Sequence, residues 1–193
     1  MRYFLINKPF GTLSQFTREA PEHRTLADLY DFPPGVYPVG RLDRDSEGLL
    51  LLTDDKRLNH RLLDPSYGHA RTYWVQVEGK VTEEAIRALA AGPVIRIKGK
   101  EHHSRPVGVE RIAPALPPRD PPIRVRQQIP DTWLALTLRE GKNRQVRRMC
   151  AAVGHPVLRL LRYAIEDLTL ADLAGQHVRE VSVTYLLPRL KIK

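Results

Sequence analysis

Four consecutive leucines, Leu49-Leu50-Leu51-Leu52, constrain the fold of this chain more than any other stretch. An apolar run of that length, closed by Thr53-Asp54-Asp55, reads as a strand buried on both faces. The nine residues before it, Gly40-Arg41-Leu42-Asp43-Arg44-Asp45-Ser46-Glu47-Gly48, have the opposite character, with five charges among them. A charged loop feeding a buried strand sets an acid, Asp43, at the mouth of a sheet, where sites tend to form. Gly40 and Gly48 bracket the loop and permit tight backbone geometry on either side. A surface salt-bridge cluster of Arg41, Arg44, Asp45 and Glu47 accounts for the same charges without any chemistry.

The rest of the chain supplies partners for that strand. Tyr3-Phe4-Leu5-Ile6 reads as a strand stopped at Pro9-Phe10-Gly11. Residues 11–24 are polar and loop-like, and Thr25 to Tyr30 opens with an N-cap residue and predicts a short helix. Val36 to Val39 is extended. Arg57 to Leu63 predicts a helix with Leu58, Leu62 and Leu63 on one face, ended by Pro65. In Arg71 to Gly79, Tyr73, Val75 and Val77 alternate onto one face of a strand. Thr82-Glu83-Glu84-Ala85 is a capping-box opening for a helix carrying Ile86 and Leu89. Val94 to Ile97, Val107 to Ile112, Trp133 to Leu138 and Val157 to Ile165 predict further strands. The tail, 178–187, predicts a strand or short helix. Pro114, Pro117, Pro118, Pro121 and Pro122 keep residues 114–122 out of any central element, as an extended surface excursion. Strands follow one another directly. That order predicts an α+β fold with a mixed, mainly antiparallel central sheet and flanking helices, built as one catalytic domain with two lobes around a cleft.

The balance of 31 Lys and Arg against 22 Asp and Glu gives a net charge of +9, which suits a polyanionic partner such as nucleic acid or an acidic membrane surface. Cys150 is the only cysteine, so no intramolecular disulfide can form, as suits a reducing, cytoplasmic setting. No apolar run approaches the roughly 18 residues of a membrane helix. His102-His103 lacks a second ligand pair at a zinc spacing, and neither GxGxxG nor GxxxxGK[ST] occurs, so neither a metal nor a nucleotide cofactor is expected.

A helix predicted from Asn143 to Val153 carries Val146, Met149, Cys150 and Val153 as its buried stripe. Cys150 therefore reads as an inert core thiol. Arg144 and Arg148 lie nearly opposite that stripe, free to meet phosphates, and Arg147 lies on its border. Lys142 adds a fourth cation at the helix start, where free N–H groups favour an anion. A solvated basic face explains the same pattern. Tyr73 reads either as a core aromatic or as a ring that stacks on an extruded base.

Four segments together resemble one family. Gly40 to Asp54 resembles the signature of the RsuA branch of pseudouridine synthases. Asn7-Lys8-Pro9-Phe10-Gly11 resembles its N-terminal motif, Thr72 to Gly79 its tyrosine strand, and Glu140 to Met149 with Gly154 and Arg159-Leu160-Leu161-Arg162 its last motif. The tyrosine motif departs from the pattern in beginning with Arg71-Thr72 where lysine is usual. Many members carry an N-terminal S4-type RNA-binding domain, and this chain starts at the catalytic domain. The missing domain, with the Gln15-Phe16-Thr17 and Ile123-Arg124-Val125-Arg126 segments, most resembles a subgroup acting on large-subunit ribosomal RNA.

The resemblance implies isomerisation of a uridine to pseudouridine, without cofactor or metal. Asp43 would be the carboxylate that acts on the ribose, Arg147 its cationic partner and Tyr73 the ring stacked on the flipped base. Leu160, or else Leu161, would form an apolar floor. Arg41, Arg44, Lys142, Arg144 and Arg148 would hold phosphates. The expected partner is RNA, with large-subunit ribosomal RNA foremost, bound by a monomer. Base extrusion costs a few kcal/mol, so an unpaired or loop uridine is the expected target. The segments 114–122 and Ile123 to Gln128 read either as a substrate-specific rim or as plain surface loops.

Overall fold

The computed structural model describes every residue except Val125, Gln127 and Lys193. The Val125 and Gln127 portions of the expected rim thus lie outside the described residues. In chain order the elements are β1 (Tyr3–Lys8), β2 (Tyr37–Pro38), β3 (Glu47–Thr53), α1 (Lys56–Leu63), β4 (Arg71–Glu78), α2 (Glu83–Ala91), β5 (Val94–Ile97), β6 (Lys100–His103), β7 (Gly108–Arg111), β8 (Asp131–Leu138), α3 (Gln145–Ala152), β9 (Val157–Ile165), β10 (Leu168–Thr169), β11 (Val178–Val181) and α4 (Val183–Arg189). The fold is α+β, with mostly antiparallel strand pairs among the described residues and β3 running parallel to β9. Among the described residues no helix is long and apolar enough to cross a membrane.

The chain divides into two compact units, the first made of Met1–His69 and the chain from Leu161 onward, the second of Ala70–Leu160. In the first unit, β1 lies between β11 and β3, and every residue of β3 is buried. That is why the leucine run needs no polar alternation: Leu49 and Leu51 join the core formed with Leu58, Leu62, Leu168 and Leu186. Burying a leucine stabilises by about 2 kcal/mol, so this strand is an anchor for the loop before it. In the second unit, β8 pairs with both β4 and β7, and the core gathers Val75, Val77, Leu89, Leu134, Leu136, Val146, Met149 and Leu160.

Several local expectations shift. Leu63 is 44% exposed rather than part of the buried face of α1, while Leu58 and Leu62 are buried. Thr25 to Tyr30 holds only a single 3-10 turn, Leu26–Asp28, closed by a capping box between Thr25 and Asp28. β6 has no counterpart in the expectations, because Lys100-Glu101-His102-His103 carries no β-branched or apolar pattern. Its hairpin with β5 is turned by Lys98 and Gly99, both left-handed at φ 49° and 80°, the conformation of a tight two-residue turn. Residues 114–122 are irregular, as their prolines require, and the buried Arg159 donates from Nη1 to the Pro117 carbonyl at 2.8 Å.

Candidate active site

Asp43 is half-buried in the loop between β2 and β3, and residues 8–15 fix its backbone. The Ser14 hydroxyl donates to the Leu42 carbonyl at 2.9 Å and accepts from the Leu42 N–H at 3.0 Å. The Gly11 N–H donates to the Arg44 carbonyl at 2.8 Å, and the Ser46 N–H to the Asp43 carbonyl at 3.0 Å. The peptide groups on both sides of Asp43 are therefore pinned, which limits how far its carboxylate can wander. Ser14 has no signal in the sequence, because a serine that bonds 28 residues away leaves no periodic trace.

Beneath this loop lies Lys8, fully buried at the end of β1. Its Nζ donates to the Thr12 carbonyl at 2.7 Å and the Pro9 carbonyl at 3.1 Å, tying down the turn that carries Gly11 and Ser14. Burial pulls this ammonium down to about 8; Glu47, Asp45 and Asp43 act against that fall and Arg162 adds to it. A lysine kept out of water beside three carboxylates is a structural strut for an acidic loop. Arg41 and Arg44 are exposed; Arg41 donates to Gln15 Oε1 at 3.2 Å and Arg44 Nε to the Gly11 carbonyl at 3.3 Å.

The loop then enters β3 through Gly48. Its φ of +108° lies in the left-handed half of the map, and a Cβ there would stand 2.3 Å from the Arg162 carbonyl oxygen. Only glycine lets β9 approach so closely. Arg162, itself buried, completes the seam by donating from Nε to the Leu49 carbonyl at 2.8 Å.

The second unit carries the remaining candidates. α3 begins at Gln145, not Asn143, because Arg144 takes a left-handed conformation at φ 49° that ends the preceding turn. Gln145 is buried, accepts the Lys142 N–H on Oε1 at 3.0 Å and donates to Glu140. Burial pushes Glu140 up, but the Arg105 N–H, Gln145 and His102 outweigh it and hold this carboxyl below its ordinary range. Glu140 and Gln145 thus brace the turn that presents the basic residues, and His102 is part of the brace, with Nε2 at 3.2 Å from Glu140.

The four cations of this segment are not equivalent. Lys142 and Arg144 are exposed, and Arg147 is partly buried. Arg148, expected to be free for phosphates, donates to the Arg96 carbonyl at 2.6 Å, the Asn143 carbonyl at 3.2 Å and the Asn143 side chain at 3.4 Å. It fastens α3 to β5 instead. Cys150 is buried and its thiol is pushed up to about 12 by burial, against the nearby Arg147 charge, as an inert core thiol should be. Tyr73 is partly buried against the core of this unit, and Leu160 is one of that core's buried members.

Comparison with known proteins sets the chain in a family context. The family model described as RNA pseudouridylate synthase matches residues 2–152. Over 172 residues the chain is 54% identical to the ribosomal large subunit pseudouridine synthase E of Xanthomonas campestris pv. campestris, covering 88% of this chain and 89% of the relative. The protein of that same description from Vibrio parahaemolyticus is 46% identical over 183 residues, covering 94% of this chain and 74% of its own. Among solved structures, a crystal structure of a pseudouridylate synthase superposes with a TM-score of 0.78 at 30% identity, covering 98% of this chain and 73% of the other. The resemblance first carried by the Asp43 loop therefore extends through sequence and fold alike, and the chain belongs to the RNA pseudouridylate synthase family, whose members are isomerases acting on RNA.

Proposed function

We propose that the protein converts a specific uridine of 23S, large-subunit ribosomal RNA into pseudouridine. The observation that carries the reading is the Asp43 loop itself, a half-buried acid whose flanking peptides are held by Ser14 and Gly11 and whose following strand is wholly buried. The choice of large-subunit RNA is supported by relatives at 46–54% identity whose names carry that substrate.

In the proposed reaction the N1–C1′ glycosidic bond breaks and the uracil turns. C5 then bonds to C1′, C5 gives up its proton and N1 gains one, so the product is an isomer. Asp43 acts on the ribose, and Arg147 contributes the positive charge that favours an ionised carboxylate. Tyr73 stacks on the extruded base, and Leu160 supports an apolar floor from within its core. Lys142, Arg144, Arg41 and Arg44 meet phosphates. We further propose that the two units are the lobes of one catalytic domain. The protein works as a monomer in the cytoplasm, where its substrate is made.

Incubation of the purified protein with transcripts of large- and small-subunit ribosomal RNA, followed by pseudouridine mapping, tests the substrate. A single modified site on the large-subunit transcript is expected; modification of the small-subunit transcript alone would contradict the assignment.

A further inference from the structure

Three of the chain's four phenylalanines and two of its tyrosines form a continuous aromatic ladder in the first unit. Phe4, fully buried on β1, packs edge-on against Phe32 at 5.4 Å and tilted against Tyr30 at 6.0 Å. Tyr30 and Phe32 meet at 5.0 Å. Phe16 joins Phe32 at 5.7 Å to Tyr37 at 6.3 Å. The ladder begins in the core and ends in solvent, where Tyr37 is 63% exposed and Tyr30 44%. Burial accounts for its inner end alone. A tyrosine two-thirds exposed gains little from the hydrophobic effect, and packing against Phe16 fixes its ring without hiding it.

Phe16, which backs Tyr37, is linked through its chain neighbours to the Asp43 loop. Gln15, the neighbour of Phe16, accepts a hydrogen bond from Arg41, and Ser14 before it holds Leu42. An exposed ring packed on Phe16, whose chain neighbour Gln15 holds the exposed Arg41, on a chain of net charge +9, joins the two elements that bind unpaired nucleotides, a stacking face and a cation. Every base offers a π face to the ring, and the cation meets the backbone.

We infer that Tyr37, backed by Phe16, is a stacking platform for an unpaired nucleotide flanking the target uridine, with Arg41 at the adjoining phosphate. The inference rests on the reading that Asp43 acts on the uridine. It gives the enzyme a way to recognise a loop through the bases beside the one it modifies, and to hold the strand open while the target base is extruded.

The test uses the full chain and the large-subunit transcript. Tyr37→Ala should raise KM about ten-fold and leave kcat within about two-fold, whereas Tyr37→Phe, which keeps the ring, should match the wild type. The fluorescence of a Tyr37→Trp variant, taken relative to the wild type, should be quenched by the transcript and not by a perfectly paired RNA duplex. Equal KM values for Tyr37→Ala and wild type overturn the proposal, as does Tyr37→Phe behaving like Tyr37→Ala, which would assign the effect to the hydroxyl. If Tyr37→Ala is normal on the naked transcript but slow on ribosomal particles, the surface docks a protein and the RNA platform is wrong. Added to the Asp43→Asn protein, Tyr37→Ala should weaken RNA binding by the same factor as it does in the wild type. An active Asp43→Asn enzyme would remove the catalytic reading while leaving the platform to stand or fall on its own binding data.

Discussion

Replacement of Asp43 by asparagine is expected to lower pseudouridine formation by at least about 10³-fold, close to 4 kcal/mol of transition-state stabilisation, with the RNA dissociation constant within about three-fold of wild type. The substitution keeps the size and hydrogen-bonding capacity of the side chain and removes only its charge and basicity. Ser14, Gly11 and Ser46 hold the loop through backbone atoms of Leu42, Arg44 and Asp43, so asparagine leaves those bonds in place. The melting temperature should stay close to the wild-type value. Single-turnover assays with excess enzyme separate loss of chemistry from loss of binding. A variant that modifies RNA at the normal rate would assign the chemistry to another residue. A variant that loses binding and activity together would make Asp43 a structural member of the loop.

A second large effect is expected at Gly48, through folding rather than chemistry. Alanine there would put a methyl group 2.3 Å from the Arg162 carbonyl oxygen and 2.7 Å from its nitrogen, both backbone atoms that cannot swing aside. The φ of +108° adds conformational strain that any L side chain would suffer. The β3–β9 seam would have to open, so Gly48→Ala should cost more than about 3 kcal/mol and lower the melting temperature by roughly 6–12 °C or prevent folding outright. Gly35 provides the comparison, since its φ is also positive at +85° but nothing lies within 4 Å of its would-be Cβ. Gly35→Ala should therefore cost only about 1 kcal/mol, the strain without the collision. Thermal unfolding of the two variants reads the difference; equal losses would mean that close approach is not what requires Gly48.

What the sequence disclosed and what it hid divide along a physical line. Local patterns were legible: the leucine run became β3 and the alternation of Val75 and Val77 became the inner face of β4. The spacing of Val146, Met149 and Cys150 became the buried stripe of α3. Such signals come from one face of one element meeting a core. Bonds between distant residues were not legible. Nothing local reveals that Ser14 will grip Leu42 or that Lys8 will be buried under an acidic loop. The four cations from Lys142 to Arg148 looked alike in sequence, yet Arg148 is occupied by the Arg96 carbonyl while Arg144 remains exposed. The hairpin strand β6 is hidden in the sequence because its charged residues carry no strand signal, and its pairing is set by the Lys98-Gly99 turn. The chemistry itself entered through the motif resemblance, since an acid at the mouth of a sheet does not specify a reaction.

The proposed activity is pseudouridine formation in large-subunit ribosomal RNA through Asp43. Pseudouridine mapping of ribosomal RNA from cells lacking the gene, complemented with either the wild-type or the Asp43→Asn chain, tests it most directly. One large-subunit site should disappear on deletion, return with the wild-type chain and remain absent with Asp43→Asn. An unchanged map on deletion, or full restoration by Asp43→Asn, would contradict the account.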